Sequence, residues 1–289
     1  MGKKRRQQQK PPAPRPPGVA RKAAGAPGKR KAPGAAARGA APPRRQLSAL
    51  ARTDALEGAA TMLLIGEGDF SFAASLARLR GGAVGMLATG LDTRGACEAK
   101  YGAAAVAGNI EAVESLGGLV AHGVDCRHLR GSLARQREHV GADAASEGFD
   151  AIVFQFPHNG EGEKDEARSV DAHRKLMAAF FAECVVEPPA AGAHPRGGGR
   201  PLMGSLESEL HVTLKRGKPY DLWRLPELAA SATGGRLRLA KAMQFHAGDF
   251  EGYAHRRTIG FNVGNHAHSE DVDDGGARRS VTYIFKRTR

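Results

Sequence analysis

The segment 61–72, TMLLIGEGDFSF, constrains the fold of this chain more than any other part of it. An apolar run is followed by a glycine turn, Gly66-Glu67-Gly68, and then by a helix-compatible run. An uninterrupted apolar run is typical of a parallel strand that is buried on both faces. Glycines at the end of such a strand permit unusual φ values and let a ligand lie against bare backbone. The segment therefore predicts a strand–turn–helix unit with a nucleotide-like ligand at the turn, and an ordinary tight turn is the alternative.

The spacing of the glycines narrows the choice of ligand. A dinucleotide pyrophosphate lies against the pattern G-x-G-x-x-G. Here Asp69 and Phe70 follow Gly68 where that pattern needs room for a third glycine. The crowded turn favours a ligand without a pyrophosphate, such as S-adenosylmethionine (SAM), and disfavours a nicotinamide dehydrogenase.

Two acidic residues follow the next apolar segments. The second apolar run, 83–91, ends at Asp92, which lies 24 residues after Gly68. An acid at this place accepts hydrogen bonds from the ribose hydroxyls of a bound nucleotide. Asp125 follows a third strand predicted at 119–124, where a side chain can face the adenine amino group. A helix cap or a turn is the alternative role of each aspartate.

The fourth predicted strand, 149–156, is followed directly by Pro157-His158-Asn159-Gly160. Its isoleucine, valine and phenylalanine are central-strand residues. Ligands of open α/β sheets lie at the carboxyl ends of parallel strands. A Pro-His turn at this edge would lie beside the transferred methyl group if SAM lay across the first two strands.

The rest of the chain continues the alternation of helices and strands. A helix is predicted at 170–185 and another at 221–232, and strands are predicted at 209–215, 238–245 and 280–286. Alternation favours a parallel sheet, and two successive strands at the end favour an antiparallel hairpin. The predicted fold class is α/β, and by analogy its layout resembles that of the Rossmann-like class I methyltransferases. It has a seven-stranded, mostly parallel sheet, an antiparallel C-terminal hairpin and helices on both faces.

Charge divides the chain into two parts. Residues 1–50 carry 14 Lys or Arg, no acid and nine of the sixteen prolines, whereas the remaining 239 residues carry 29 basic and 30 acidic groups. Segment 1–50 is predicted to be a disordered basic tail, and 51–289 the folded domain. Such a tail can be a nuclear address, an RNA clamp or only a solubilising segment. A transit peptide fits less well because the tail is nearly free of serine.

Three cysteines without a C-x-x-C pair predict neither a zinc site nor a disulfide framework, and they favour a reducing compartment. We find no apolar run of about 18 residues for a membrane span and no secretory signal. Histidines at 246, 255, 266 and 268 do not have the spacing of a known ligand set, so no metal site is predicted.

Four blocks carry a closer resemblance: LLIGEGDFSF at 63–72, FQFPHNG at 154–160, HVTLKRGKPYDLW at 211–223 and FEGYAHRRT at 250–258. In this order they resemble the eukaryotic large-subunit ribosomal RNA uridine-N3 methyltransferase family over residues 61–287. The resemblance implies SAM as methyl donor, ribosomal RNA or a pre-ribosome as partner, and a nucleolar or nuclear location, with the cytoplasm as the alternative. A monomer without a membrane anchor is expected. The family motif implies a set of cofactor contacts: Gly66, Glu67, Gly68, Asp69, Phe70 and Asp92.

One position departs from the family pattern. The family has Asn-Phe-Pro-His where this chain has Gln155-Phe156-Pro157-His158. The amide is retained but is one methylene longer, so the departure puts its role in question. A catalytically silent RNA-binding or assembly factor, and a methyltransferase for another RNA or another base, therefore stay open as alternatives.

The chemistry of uracil assigns roles to the fourth-strand turn. The N3 atom carries a proton between two carbonyls and becomes nucleophilic when that proton leaves. His158 is predicted as the base, because neutral imidazole is available near pH 7, and a positioning role is its alternative. Gln155 can donate to a uracil carbonyl, and Pro157 shapes the turn. Phe154 or Phe156 can stack on the base, or belong to the core.

Basic and aromatic residues gather in the loops after the fifth and sixth strands. They are predicted to contact phosphates or to stack on bases, and a solvated charged rim is the alternative. Trp223 is expected in the core. The predicted RNA contacts are Lys215, Lys218, Tyr220, Tyr253, His255, Arg256 and Arg257.

Overall fold

The structure is a computed structural model that describes residues 61–136, 148–160, 162–186, 202–253, 255 and 280–288. They belong to one compact unit, Arg45–Arg289. Within these ranges, seven strands form one sheet with the order β3-β2-β1-β4-β5-β7-β6. The strands are β1 Met62–Ile65, β2 Met86–Gly90, β3 Leu119–His122, β4 Ala151–Gln155, β5 Glu209–Lys215, β6 Leu237–Phe245 and β7 Ser280–Arg287.

Helices alternate with the first strands, as the sequence predicts. Thr93 caps one of them by accepting a hydrogen bond from the Ala96 N–H, and Asp165 caps another by accepting from the Arg168 N–H. The described α-helices are α1 Ser71–Arg80, α2 Arg94–Tyr101, α3 Ala103–Ser115, α4 Leu129–Arg135, α5 Glu166–Val185 and α6 Leu225–Ala232. Three-residue and four-residue 3₁₀ turns lie at Cys126–His128, Tyr220–Trp223 and Ala247–Asp249.

The sheet confirms the predicted fold class. Strands β1 to β5 pair in parallel, and β7 lies between β5 and β6, antiparallel to both. Every residue of β1, β2 and the first four positions of β4 is buried, which explains their continuous apolar runs. In the β1–β4 register Ile65 pairs with Phe154, so both strands end at the same edge of the sheet.

Two apolar cores lie on opposite faces of the sheet. Leu63, Ile152 and Phe154 face the core formed with α4, α5 and α6. Met62 and Leu64 face the core formed with α1 and α3. Alternate residues of one strand therefore serve different layers, and helices cover both faces as predicted.

The helix predicted at 221–232 is interrupted. Arg224 adopts a left-handed backbone conformation, with φ of 48°, between the 3₁₀ turn and α6. Pro226, two residues after Arg224, has no N–H to donate to the preceding turn, so one continuous helix could not form. Trp223 is buried at the end of the 3₁₀ turn, which confirms its predicted place in the core.

Helix α5 begins at Glu166, earlier than predicted, because Asp165 caps it. No helix among the described residues is long and apolar enough to cross a membrane. The predicted tail 1–50, Arg256 and Arg257 lie outside the described residues.

Candidate active site

A cavity of about 210 Å³ opens at the carboxyl ends of β1, β2 and β4. This is the edge where the sequence predicts a ligand. The cavity brings together ten predicted site residues: Gly66, Glu67, Gly68, Asp69, Asp92, Asp125, Gln155, His158, Tyr253 and His255. Five others are not in its lining: Phe70, Pro157, Lys215, Lys218 and Tyr220.

The first position of the turn after β1, residue 66, requires a glycine. Gly66 has φ of 72°, and a Cβ there would lie 2.5 Å from Phe154 Cε2. Across the turn, a Cβ on Gly90 would lie 2.9 Å from the Glu67 carbonyl oxygen. The turn therefore packs closely on two neighbouring strands, and both of its glycines line the cavity.

Hydrogen bonds to Asp69 hold the start of α1. Asp69 Oδ1 accepts a hydrogen bond from the Ser71 N–H at 3.0 Å, and Asn109 Nδ2 donates to the Asp69 carbonyl at 2.8 Å. Phe70 has φ of 62° and is fully buried in the core rather than lining the cavity. Its backbone allows the sharp entry into α1, and its ring packs edge-on against His122 at 5.2 Å.

Glu67 is a buried carboxyl group in the cavity wall. Its Oε2 accepts a hydrogen bond from the Ala73 N–H at 3.2 Å. Burial, and to a smaller extent the charge of Asp69, raises the pKa of Glu67 to about 8. Burial also raises the pKa of the Tyr253 hydroxyl, with Glu67 and Asp69 as further causes. Glu67 is therefore mostly neutral at pH 7.

Asp92 follows β2, as predicted, but its carboxylate already has a partner. Lys100 Nζ on α2 lies 2.7 Å from both carboxylate oxygens of Asp92. Both side chains remain partly exposed, at 29% for Asp92 and 39% for Lys100. A ligand hydroxyl can therefore reach Asp92, either beside the lysine or in place of it.

Asp125 takes a local role in this structure. Its carboxylate accepts hydrogen bonds from the Arg127 N–H at 2.9 Å and from Arg127 Nη2 at 2.8 Å. The Arg127 side chain is the first cause of the lowered pKa of Asp125. Both residues line the cavity. A bound adenine would therefore have to share the Asp125 carboxylate with Arg127.

An aromatic wall begins where β4 ends. Phe156 has φ of 49°, a conformation that costs a non-glycine residue about 1–2 kcal/mol. Its ring lies 4.4 Å from the His255 ring, and the Tyr253 hydroxyl lies 3.2 Å from His255 Nδ1. Tyr253 and His255, predicted as RNA contacts, thus belong to the cavity wall. Phe154 lies in the core against Phe180.

Gln155 and His158 complete the β4 side of the cavity. Both amide atoms of Gln155 are buried and have no hydrogen-bond partner in the described part of the chain. His158 Nδ1 accepts a hydrogen bond from the Gly160 N–H at 2.9 Å. Burial, and then the neighbouring His173, lowers the pKa of His158 to about 4, so its imidazole is neutral at pH 7.

His173 supports His158 from α5, and sequence reasoning missed it. The two rings lie 4.8 Å apart edge to face, and His173 stacks on Trp223 at 4.6 Å. His173 Nδ1 donates to the Ser169 carbonyl at 2.7 Å. Lys100 was missed as well, although its position eight residues after Asp92, in a helix, could have indicated the pair.

Two of the basic residues predicted to contact RNA, Lys215 and Lys218, lie outside the cavity lining but within the described residues. Lys218 is exposed, and Lys215 at the end of β5 is half-buried. Between them Arg216 pairs with Asp221, with Arg216 Nε 3.3 Å from Asp221 Oδ1. Tyr220 is half-buried, with its ring 5.6 Å from that of Trp223. No group of histidine, cysteine or acidic side chains within the described ranges could hold a metal ion.

The fold and the site together define a Rossmann-like α/β domain, with a glycine turn after β1, an acid after β2 and a polar turn after β4. The model of the family described as rRNA (uridine-N3-)-methyltransferase BTM5-like matches residues 63–257. The chain belongs to that family, which confirms the resemblance seen in the sequence.

Three relatives match this chain at similar identity but over different lengths. It is 32% identical over 200 residues to heavy metal-associated isoprenylated plant protein 41 of Arabidopsis thaliana, covering 69% of this chain and 33% of that protein. It is 31% identical over 123 residues to the 25S rRNA (uridine(2634)-N(3))-methyltransferase of Saccharomyces cerevisiae, covering 37% of this chain and 36% of the yeast enzyme. It is 32% identical over 200 residues to the ferredoxin-fold anticodon-binding domain-containing protein 1 homolog of Mus musculus, covering 66% of this chain and 27% of that protein. The chain thus spans about a third of the length of these relatives.

Proposed function

We propose that this protein transfers the methyl group of SAM to N3 of a uridine in large-subunit ribosomal RNA. The observation that supports this most is the cavity itself. It joins the glycine turn, Asp92 and the β4 turn at one edge of the sheet, in a chain of the uridine-N3 methyltransferase family.

The cofactor would lie across the ends of β1 and β2. The bare backbone of Gly66 and Gly68 would face the methionine part, and Asp92 would accept hydrogen bonds from the ribose hydroxyls. Asp125 would lie near the adenine. Bound SAM supplies an electrophilic methyl group on its sulfonium. The chain's own residues hold the two reactants in line, and this orientation is the main source of rate enhancement in such a transfer.

The target uridine would enter from the β4 side. The ring of an unpaired base can stack on Phe156. The strained backbone of Phe156 supports a functional role for this residue. In a paired helix N3 is engaged, so the uridine must be unpaired or flipped out. Lys218 and the basic residues outside the described ranges would contact phosphates. The basic tail would add salt-sensitive affinity for RNA.

The partner we propose is a pre-ribosome, and the location is the nucleolus. The basic segment 1–50 supports this choice, since a Lys-Arg cluster can act as a nuclear address. A catalytically silent assembly factor is not favoured. The glycine turn, Asp92 and the β4 turn remain together in one cavity, and a silent protein would not need all three.

Calorimetric titration of the full chain with S-adenosylhomocysteine tests the cofactor site. Asp92→Ala should weaken binding by about 2 kcal/mol, or roughly 30-fold, because hydrogen bonds to a charged group are lost. Asp171→Ala is the matched control, since Asp171 forms a similar lysine pair on an exposed face of α5, with Lys175 Nζ at 2.7 Å. Unchanged affinity in Asp92→Ala would remove Asp92 from the site.

Mass spectrometry of ribosomal RNA then tests the reaction. Unmodified large-subunit ribosomal RNA incubated with the protein and SAM should gain 3-methyluridine. A protein that binds the cofactor analogue but forms only another methylated nucleoside would contradict the proposed base.

A further inference from the structure

The β4 turn presents hydrogen-bond donors to the cavity, and this changes the role expected of His158. A general base must offer a lone pair to the proton that it removes. The Nδ1 lone pair of His158 accepts the hydrogen bond from the Gly160 N–H at 2.9 Å. In a neutral imidazole the proton then resides on Nε2, and that nitrogen is a donor. Nε2 has no partner among the described residues, and His158 lines the cavity.

The packing around His158 holds this arrangement. His173 donates from Nδ1 to the Ser169 carbonyl at 2.7 Å, so its Nε2 carries no proton while the ring is neutral. That Nε2 accepts from the Asn159 N–H at 3.4 Å, one residue from His158. Trp223 stacks behind His173 at 4.6 Å. The hydrogen bonds of the two rings therefore call for complementary tautomers, and the backbone between 158 and 160 connects them.

Gln155 supplies the second donor. Both of its amide atoms are buried without a partner within the described ranges, although buried polar atoms in proteins are nearly always paired. The residue lines the cavity, three positions before His158. Leaving a buried amide unpaired costs free energy, so a ligand that pairs the Gln155 amide binds more tightly.

The edge of uracil fits two donors. Its N3 lies between the O2 and O4 carbonyls, and both are acceptors. We propose that His158 and Gln155 donate hydrogen bonds to these two oxygens and leave N3 between them open to the methyl group. This inference rests on the proposed function. It also gives a reason for discrimination where His158 faces O4, since cytosine carries an amino donor there and would oppose the Nε2–H, whereas the Gln155 amide could turn to accept from it.

The two donors act on the reaction through the charge on the base. When N3 loses its proton, the negative charge spreads onto O2 and O4, where the donors stabilise it. The N3 proton passes to water, the N3–methyl bond forms as the sulfur–methyl bond breaks, and S-adenosylhomocysteine leaves. A histidine whose pKa is lowered to about 4 is a weak base but an unimpaired donor, because it stays neutral. His158 is thus a binding and orienting residue rather than the proton acceptor.

Nitrogen NMR of the full chain with ¹⁵N-labelled histidine tests the geometry without RNA. The signals of His158 are those absent from His158→Gln. We expect a proton on Nε2, none on Nδ1, and no imidazolium at pH 7. A proton on Nδ1, or an imidazolium at pH 7, would overturn the proposal.

Single-turnover methylation of unmodified large-subunit ribosomal RNA tests the donor role. Loss of one such donor costs about 10²-fold in rate. His158→Ala should lose about that much, whereas His158→Gln, which restores an N–H donor near the Nε2 position, should stay within about 10-fold of the original rate. Gln155→Leu and Gln155→Asn form the second matched pair, since asparagine keeps an amide.

Two outcomes separate this proposal from the proposed function. Equal losses in the alanine and glutamine variants of His158, with folding and S-adenosylhomocysteine affinity intact, would overturn the donor role. If the unaltered protein forms no 3-methyluridine, the proposed function fails, and the NMR measurement still decides whether His158 is the donor that the geometry indicates.

Discussion

Two turns face each other across the cavity, and they satisfy their polar groups in opposite ways. In the turn after β1, Glu67, Asp69 and Gly68 all bond to neighbouring protein groups; Cys97 Sγ, for example, lies 2.9 Å from the Gly68 carbonyl. At the end of β4, the amide of Gln155 has no partner among the described residues, and His158 Nδ1 accepts from the Gly160 N–H, which leaves Nε2 as the donor of a neutral ring. The first turn thus has its acidic side chains paired within the protein, and we propose that a ligand pairs the Gln155 amide of the second.

The difference matches two tasks. A rigid backbone surface suits a cofactor that is bound in every catalytic cycle, because the protein loses little conformational freedom on binding. A substrate must be distinguished from similar bases, and unpaired buried donors reject a ligand that cannot pair them. Three substitutions test this contrast between the two turns.

The largest effect is expected from Glu67, through pH. Because the pKa of Glu67 is raised from 4.5 unfolded to about 8 folded, the folded state holds a proton that the unfolded state loses above pH 4.5. This group therefore lowers the free energy of unfolding progressively from pH 4.5 to 8, by up to about 4 kcal/mol. Urea unfolding should show Glu67→Gln gaining stability relative to the original protein across that window.

The exposed Glu111 on α3 gives the control variant, since Glu111→Gln makes the same chemical change at a carboxyl group that stays in water. If the Glu67→Gln curve stays parallel to that of the original protein between pH 5 and 8, the neutral buried carboxyl is wrong, and the β1 turn is less closed than described.

The next effect concerns the close approach at Gly66. Gly66→Ala should lower the free energy of unfolding by about 3 kcal/mol, since a left-handed alanine and a clash with Phe154 add together. Gly81→Ala isolates the first cause, because Gly81 has φ of 69° and nothing within 4 Å of an added Cβ. It should cost about 1 kcal/mol. Similar losses in both variants would mean that Phe154 moves aside easily.

The smallest effect has the opposite sign. Gln155→Leu removes an unpaired buried amide and should raise the free energy of unfolding by about 1 kcal/mol while methylation falls. Thr213, its register partner on β5, gives the contrast. The Thr213 hydroxyl lies 2.8 Å from the Thr282 hydroxyl, so Thr213→Val should lower stability by about 1 kcal/mol. Destabilisation by Gln155→Leu would indicate that its amide is satisfied in solution.

The site shows where prediction from sequence succeeded and where it stopped. Gly66, Asp92 and the β4 turn were predicted at one sheet edge, because strand ends and glycine spacing are local signals. Phe70 was predicted against the cofactor and lies in the core, because the backbone conformation at that residue turns its ring away. Lys100 and His173 carry no motif, and only the packing of α2 and α5 brings them to Asp92 and His158.

The succession of strands and helices, the position of the glycine turn and the family could all be predicted from the sequence. Each depends on periodicity, glycine spacing or short motifs, which are written within a few neighbouring residues. The tertiary structure alone decided the protonation of the site. Which nitrogen of His158 carries the proton, and whether Glu67 is charged, depend on burial and on the Gly160, His173 and Ala73 groups that the fold brings into contact. Desolvation and hydrogen bonding act through space, so they cannot be read from order along the chain.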